Sequence, residues 1–120
     1  MSYMGIKSVA LDYFKTFERK DIDALADMFH EDISLKDWNI SAQGKPDVIQ
    51  ANKEIFNNIN KITVNVQNMY ISIEKRTVVA ELQILADDEP PLPVVDIITY
   101  NLESLKTYPK IESIVAYRGN

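Results

Sequence analysis

Apolar side chains recur at helical spacing over the first part of the chain and then change to alternation. Ile6, Val9, Ala10, Tyr13 and Phe17 fall on one face of a helix over residues 3–18. A second, short helix is predicted over 22–29. Asp21 is its N-cap, Asp23 suits its positive end, and Ile22, Leu25 and Met28 or Phe29 form its stripe. "ISLKD" then alternates, with Ile33, Leu35 and Asp37 on one face and Ser34 and Lys36 on the other, a short strand that closes on an acid. "NISAQGKP" reads as a loop. Pro46 suits the first turn of a third helix, about 46–59, because the N–H it lacks would be unpaired there in any case. Ile49, Ile55, Phe56 and Ile59 give that helix its face.

From Lys61 the pattern is that of strands. Residues 62–73, 77–86, 93–103 and 111–118 are rich in β-branched side chains and separated by turn signals. "DDEPPLP" is a polar, proline-stiffened hairpin, and "SLKTYPK" joins the last two strands. Helices first and an antiparallel meander after them is the α+β order, expected here as a single domain over residues 1–120. In 93–103 one face carries Val94, Ile98, Tyr100 and Leu102, and the other Val95 and Ile97. Helices can cover one face of the sheet. The other is expected to pair with a second copy, giving a homodimer through the outer sheet face.

Composition narrows the classes. With 46% hydrophobic residues in 120, the chain can bury a core unaided. It has no cysteine, which excludes disulfides, thiolate nucleophiles and cysteine-ligated metals. A net charge of −5, with the 13 basic residues scattered, argues against a nucleic-acid partner. No apolar stretch approaches the ~20 residues of a membrane span. "MSYMGIKSVA" lacks the apolar core of a secretory signal. The expectation is a soluble, cytoplasmic protein that does not engage membranes.

Three polar groups interrupt the apolar faces. In "PVVDIITY", Asp96 shares its strand face with Val94, Ile98 and Tyr100. Asp37 shares one with Ile33 and Leu35, and Tyr13 lies on the inward stripe of the first helix. Each has a structural reading. Tyr13 can be a core tyrosine whose hydroxyl reaches the surface. Asp37 can cap the loop that follows it as an Asx turn. Asp96 can pair with an arginine or be turned outward by a bulge. Converging on one interior, the three have a chemical reading as well. A phenol and a neutral carboxylic acid donate hydrogen bonds, and an ionised carboxylate accepts a proton. That is what moving a proton beside a carbonyl requires, with the donors holding the oxyanion that develops. An apolar pocket keeps the donor acid protonated.

"YFKTFERKDIDALADMFHEDISLKDW" resembles the start of the SnoaL-like and ketosteroid-isomerase-like proteins of the nuclear transport factor 2-like superfamily. The markers are an aromatic helix, the Asp21–Asp23 turn, a short helix ending in Phe29, the acids Glu31 and Asp32, and a strand closing on Asp37. "GKPDVIQANKEIF" looks like the family's glycine-led third helix, "VVDIITY" like its central strand and "KIESIVAYR" like its last. The resemblance implies a cone of three N-terminal helices packed on a curved, mainly antiparallel sheet. It implies activity less specifically, since the superfamily includes isomerases, cyclases, dehydratases, epoxide hydrolases and non-enzymes.

Matched to the isomerases, Tyr13 falls on the tyrosine that binds the carbonyl, Asp37 on the general base and Asp96 on the protonated acid of the oxyanion hole. Phe17, Trp38, Phe56 and Ile98 are the candidates for the pocket wall. Trp38 stands where the family usually has a proline and would narrow the pocket mouth or fill it. The epoxide hydrolases use two acids bridged by an arginine, for which Arg19, Arg76 and Arg118 are the candidates. The dehydratases rely on histidine. The single His30 reads as the end of the second helix or a rim residue. The expected function is acid–base proton transfer next to a carbonyl of a small apolar ligand, without metal or organic cofactor. The alternative is a non-catalytic ligand-binding or dimerisation module of the same fold, with Trp38, Phe14, Phe56 and Met69 filling the cone.

Overall fold

Helix α1 (Tyr3–Glu18) places Ile6, Val9, Ala10, Tyr13 and Phe14 in the core, with Thr16 buried beside them. The computed structural model of the chain describes residues 3–101 and 109–119. Two paired backbone bonds end α1: Lys20 N–H donates to Phe17 O at 3.0 Å and Asp21 N–H to Thr16 O at 3.3 Å. Lys20 therefore takes the left-handed position, φ 57°, that glycine usually fills in this cap. Its ammonium explains the exception. Nζ donates to Phe56 O at 3.1 Å and also to Ile59 O, carbonyls at the end of the third helix, where a cation suits the helix dipole. Glu18 Oε1 accepts from Val64 N–H at 2.6 Å, so the end of α1 is tied to a strand as well.

Asp21 caps α2 (Ile22–Met28) as expected, its side chain accepting from Ala24 N–H at 3.1 Å. The helix stops one residue short of Phe29, which begins β1 (Phe29–Lys36). The strand therefore starts earlier than the alternating segment alone indicates, because Phe29 is needed in the core, where it is 1% exposed. The expected loop after β1 contains a three-residue strand, β2 (Ser41–Gln43), antiparallel to β1. Helix α3 (Lys45–Asn58) has Gly44 as N-cap at φ 87° and Pro46 in its first turn. Its buried stripe is Val48, Asn52 and Phe56, flanked by Ile49 and Ile55.

Strands β3 (Ile62–Ser72), β4 (Thr77–Ala86), β5 (Leu92–Asn101) and β6 (Lys110–Arg118) form the meander. Leu102 and residues 103–108 of the expected strand end and connection lie outside the described residues. The six strands make one sheet in the order β2-β1-β6-β5-β4-β3. The sheet is mixed: β1 runs parallel to β6, and every other pair is antiparallel. Register breaks at Val66/Asn68, Thr99/Tyr100 and Phe29/Ser34 mark bulges that bend the strands around the helices. Ile33 and Leu35 of β1, Val78 and Leu82 of β4, Ile98 and Tyr100 of β5 and Ile111 and Ile114 of β6 meet the helices on the inner face. On the outer face Tyr70, Val79, Ile97 and Val115 pair in register, a row of large side chains crossing four strands. Among the described residues no helix is long and apolar enough to cross a membrane.

Candidate active site

A cavity of about 300 Å³ lies between α1, α3 and the inner face of the sheet, at the low end of the range for ligand pockets. Its walls are mostly Ile, Leu and Val from β3 to β6 and from α3, so few groups compete with water for a polar ligand atom. The polar side chains on it are Tyr13, Asp37, Asn39, Asn52 and Asp96. The three polar residues singled out in the sequence thus reach one hollow.

Asp96 arrives by the alternation of β5, which turns Val94, Asp96, Ile98 and Tyr100 inward. Its cross-strand neighbours are Ala80 on β4 and Ala116 on β6, so the carboxyl stands between two methyl groups with open space above it. It is 9% exposed and has no hydrogen-bond or arginine partner among the described residues. Burial first, and the nearby Asp37 charge second, push its pKa up from 3.8 to about 7. Near neutral pH it is therefore part protonated, able to donate.

Tyr13 is packed by Phe14, Phe17 and Phe29, whose ring centroids lie 5.5, 6.2 and 6.4 Å from its own. The hydroxyl faces the cavity and has no protein partner among the described residues. Burial, then the charges of Asp96, Tyr100 and Asp37, hold its pKa far above the ordinary phenol value. It stays a donor at any working pH.

Asp37, half-buried, follows the last residue of β1. Its Oδ1 accepts from Asn39 N–H at 2.8 Å and Ile40 N–H at 2.7 Å, and its own N–H donates to Ile40 O at 2.9 Å. The Asx turn is thus present, and the residue still lines the cavity. With Oδ1 taken by two backbone donors, Oδ2 is the oxygen left for a ligand proton.

Of the wall candidates, Phe17 and Trp38 line the cavity. Trp38 is 40% exposed with the Arg118 guanidinium 5.8 Å from its ring centre, which makes it a rim residue. Phe56 and Ile98 do not line it. Phe56 stands behind Phe17, edge to face at 5.0 Å. Ile98, fully buried, lies two residues along β5 from Asp96, where core side chains close the space. The filling of the cone by Trp38, Phe14, Phe56 and Met69 that went with the alternative reading is not seen: Phe14 is in the wall, Trp38 at the rim, and Phe56 and Met69 off the cavity.

His30 is not at a helix end. It is the second residue of β1, and its Nδ1 accepts from Asp32 N–H at 3.1 Å, away from the cavity. The arginines are used elsewhere or exposed: Arg19 donates to Thr16 Oγ1 at 3.3 Å, Arg118 covers Trp38, and Arg76 sits in the β3–β4 turn at φ 52°. No acid pair bridged by an arginine forms among the described residues. Nor do those residues contain a cluster of three or more metal-ligating side chains.

Asn52 was not among the sequence candidates. It is 2% exposed, lines the cavity, and donates from Nδ2 to Val48 O at 2.9 Å, one helical turn back. A polar residue four positions from both Val48 and Phe56, in the middle of a buried stripe, was the available signal. Leaving a buried amide oxygen unmatched costs about 1–3 kcal/mol, so the position is not explained by packing alone.

The sequence pattern of the SnoaL-like domain matches residues 10–103. No curated protein matches the chain. Nuclear transport factor 2 from Cryptosporidium parvum superposes with a TM-score of 0.85 at 13% identity, covering 97% of this chain and 93% of that one. A protein described as a dehydratase of the nuclear transport factor 2-like family, from Streptomyces avermitilis, gives 0.83 at 15%, covering 98% and 95%. SalBIII, an epoxide hydrolase/cyclase-like enzyme of pyran ring formation in the polyether salinomycin, gives 0.76 at 18%, covering 95% and 90%. At these identities the likeness is one of fold.

Proposed function

The chain belongs to the SnoaL-like domain family, and from that premise we propose that it is a cofactor-independent enzyme of the ketosteroid-isomerase and polyketide-cyclase type. It moves a proton next to the carbonyl of a small, largely apolar compound. The observation that carries this reading is the pair of buried donors, Tyr13 and Asp96, both without a protein partner among the described residues and both facing one apolar cavity with Asp37. Buried polar groups are normally satisfied within the protein, so two left open toward a cavity are suited to a ligand.

In this reading the ligand carbonyl oxygen takes hydrogen bonds from the Tyr13 hydroxyl and from protonated Asp96. Asp37, as carboxylate, removes the proton from the adjacent carbon through Oδ2. The C–H electron pair moves into the ring or chain as an enolate, whose oxygen the two donors stabilise. Asp37 returns the proton to the same or another carbon, which closes the cycle. The dry walls strengthen every one of these interactions.

Deuterium uptake by β-tetralone in heavy water, followed by NMR, tests the mechanism. The wild-type protein should accelerate exchange over buffer, and Asp37→Asn should lose on the order of 10²–10⁴ of that rate. Asparagine keeps the Oδ1 acceptor that holds the 37–40 turn, so the variant should fold. Exchange at the wild-type rate in Asp37→Asn defeats the assignment.

The outer sheet face completes the reading. The in-register row of Tyr70, Val79, Ile97 and Val115 supports a homodimer assembled face to face, which leaves the cavity on the opposite side of the sheet open to its ligand.

A further inference from the structure

Asn52 has no role in the proton transfer just described, yet it occupies the wall of the same cavity. Its amide orientation is dictated by the helix. Val48 O can only accept, so the side-chain nitrogen must face it, and the 2.9 Å bond fixes the group that way round. The oxygen Oδ1 is then left without a partner among the described residues, at a position 2% exposed on a cavity wall shared with Ile55, Ile59, Val64 and Leu82. Tyr13 and Asp96 offer donors to a ligand. Asn52 offers an acceptor in fixed orientation.

We infer that Asn52 is a specificity-determining residue, whose Oδ1 accepts a hydrogen bond from a hydroxyl of the ligand. The substrate class is thereby narrowed from small apolar carbonyl compounds to hydroxylated ones, with the carbonyl oxygen at Tyr13 and Asp96 and a hydroxyl at Asn52. Two features of the site agree with this. The acceptor is pre-oriented, so little rotamer freedom is lost on binding. It lies among aliphatic walls that cannot satisfy a hydroxyl themselves. A site built to bond a ligand hydroxyl rejects the analogue without it, because the protein acceptor is then left desolvated and unpaired. The inference rests on the proposed ligand cavity but not on turnover.

The test is calorimetric binding of β-tetralone and its positional ring-hydroxy derivatives to wild-type protein and to Asn52→Leu, which matches the amide in size. The expected result is that at least one hydroxy isomer binds wild-type protein about tenfold or more tightly than β-tetralone. Asn52→Leu should abolish that preference, chiefly by weakening the hydroxy isomer, and should bind β-tetralone more tightly than wild type does, since no acceptor is left unpaired against it. A second measurement needs no variant: the side-chain carbonyl ¹³C resonance of Asn52 should move with the preferred isomer and not with β-tetralone. Equal binding of all compounds to wild-type protein, or a preference that survives in Asn52→Leu, overturns the inference, as does a stationary ¹³C resonance. Loss of exchange activity in Asp37→Asn together with unchanged hydroxyl preference leaves the mechanism and this inference separately supported. Preference without any exchange by wild-type protein sinks the mechanism alone. No binding of any compound removes both.

Discussion

Replacing Asp96 by asparagine should make the protein more resistant to unfolding, and increasingly so as the pH rises. The folded protein holds the Asp96 proton up to about pH 7, whereas the unfolded chain releases it near the ordinary value of 3.8. Between those limits the unfolded state binds fewer protons than the folded one, so stability falls as pH rises. The loss is about 1.4 kcal/mol for each pH unit, or about 4 kcal/mol across the whole interval. Above about 7 both states are ionised and the loss is complete; below the unfolded value both are protonated and there is none. The amide of the Asp96→Asn variant carries no such proton and keeps the size of the side chain, so the variant should escape the loss. The assay is urea unfolding followed by far-UV circular dichroism at several pH values from about 4 to about 8, on both proteins at one concentration. The difference, variant minus wild type, should be smallest at the acid end, climb through neutrality and then level off. Distant titrating groups largely cancel in that difference. A difference that is flat with pH would refute the argument, because it would mean that Asp96 ionises alike in both states and is not held in a dry site.

Two further outcomes follow from named contacts. Tyr13→Phe removes a hydroxyl that has no protein partner among the described residues, so denaturation should shift by less than about 1 kcal/mol while exchange of β-tetralone protons slows by about 10²-fold; strong destabilisation would show that the hydroxyl serves the fold. Ile97→Lys puts a charge in the middle of the outer-face row, and sedimentation should show a lower association state than wild type at equal concentration with the circular dichroism spectrum retained; unchanged association would place any dimer contact elsewhere.

Much of the fold was legible because its periods are local. The stripe Ile6, Val9, Ala10, Tyr13 and the alternation through Val94, Asp96, Ile98 need no knowledge of distant partners. What could not be read depends on groups far apart in the chain. β2 is only three residues long and exists because Ser34, Leu35 and Lys36 offer it an edge. Phe29 joins a strand because β6 lies beside it. The parallel β1–β6 pair joins residues from opposite ends of the chain, which no window of sequence reveals. The same holds at the site. Tyr13, Asp37 and Asp96 stood out as polar groups on apolar faces, and the structure gathers them at one cavity. Phe56 and Ile98 share those apolar faces and yet miss the cavity, because periodicity assigns a side but not a depth. Lys20, holding the end of α3 from the end of α1, left no periodic trace at all.

Of the two alanines that flank Asp96 across the sheet, Ala116 has a use separate from the proposed chemistry. Ala116 lines the cavity beside the carboxyl with no polar side-chain atom, whereas Ala80, fully buried, does not reach it. Exchanging Ala116 for a bulkier aliphatic side chain would narrow the chamber while the strand ladder stays as it is. Under the proposed function, cavity width and proton chemistry would be set by different positions on adjacent strands, so that one could drift without disturbing the other.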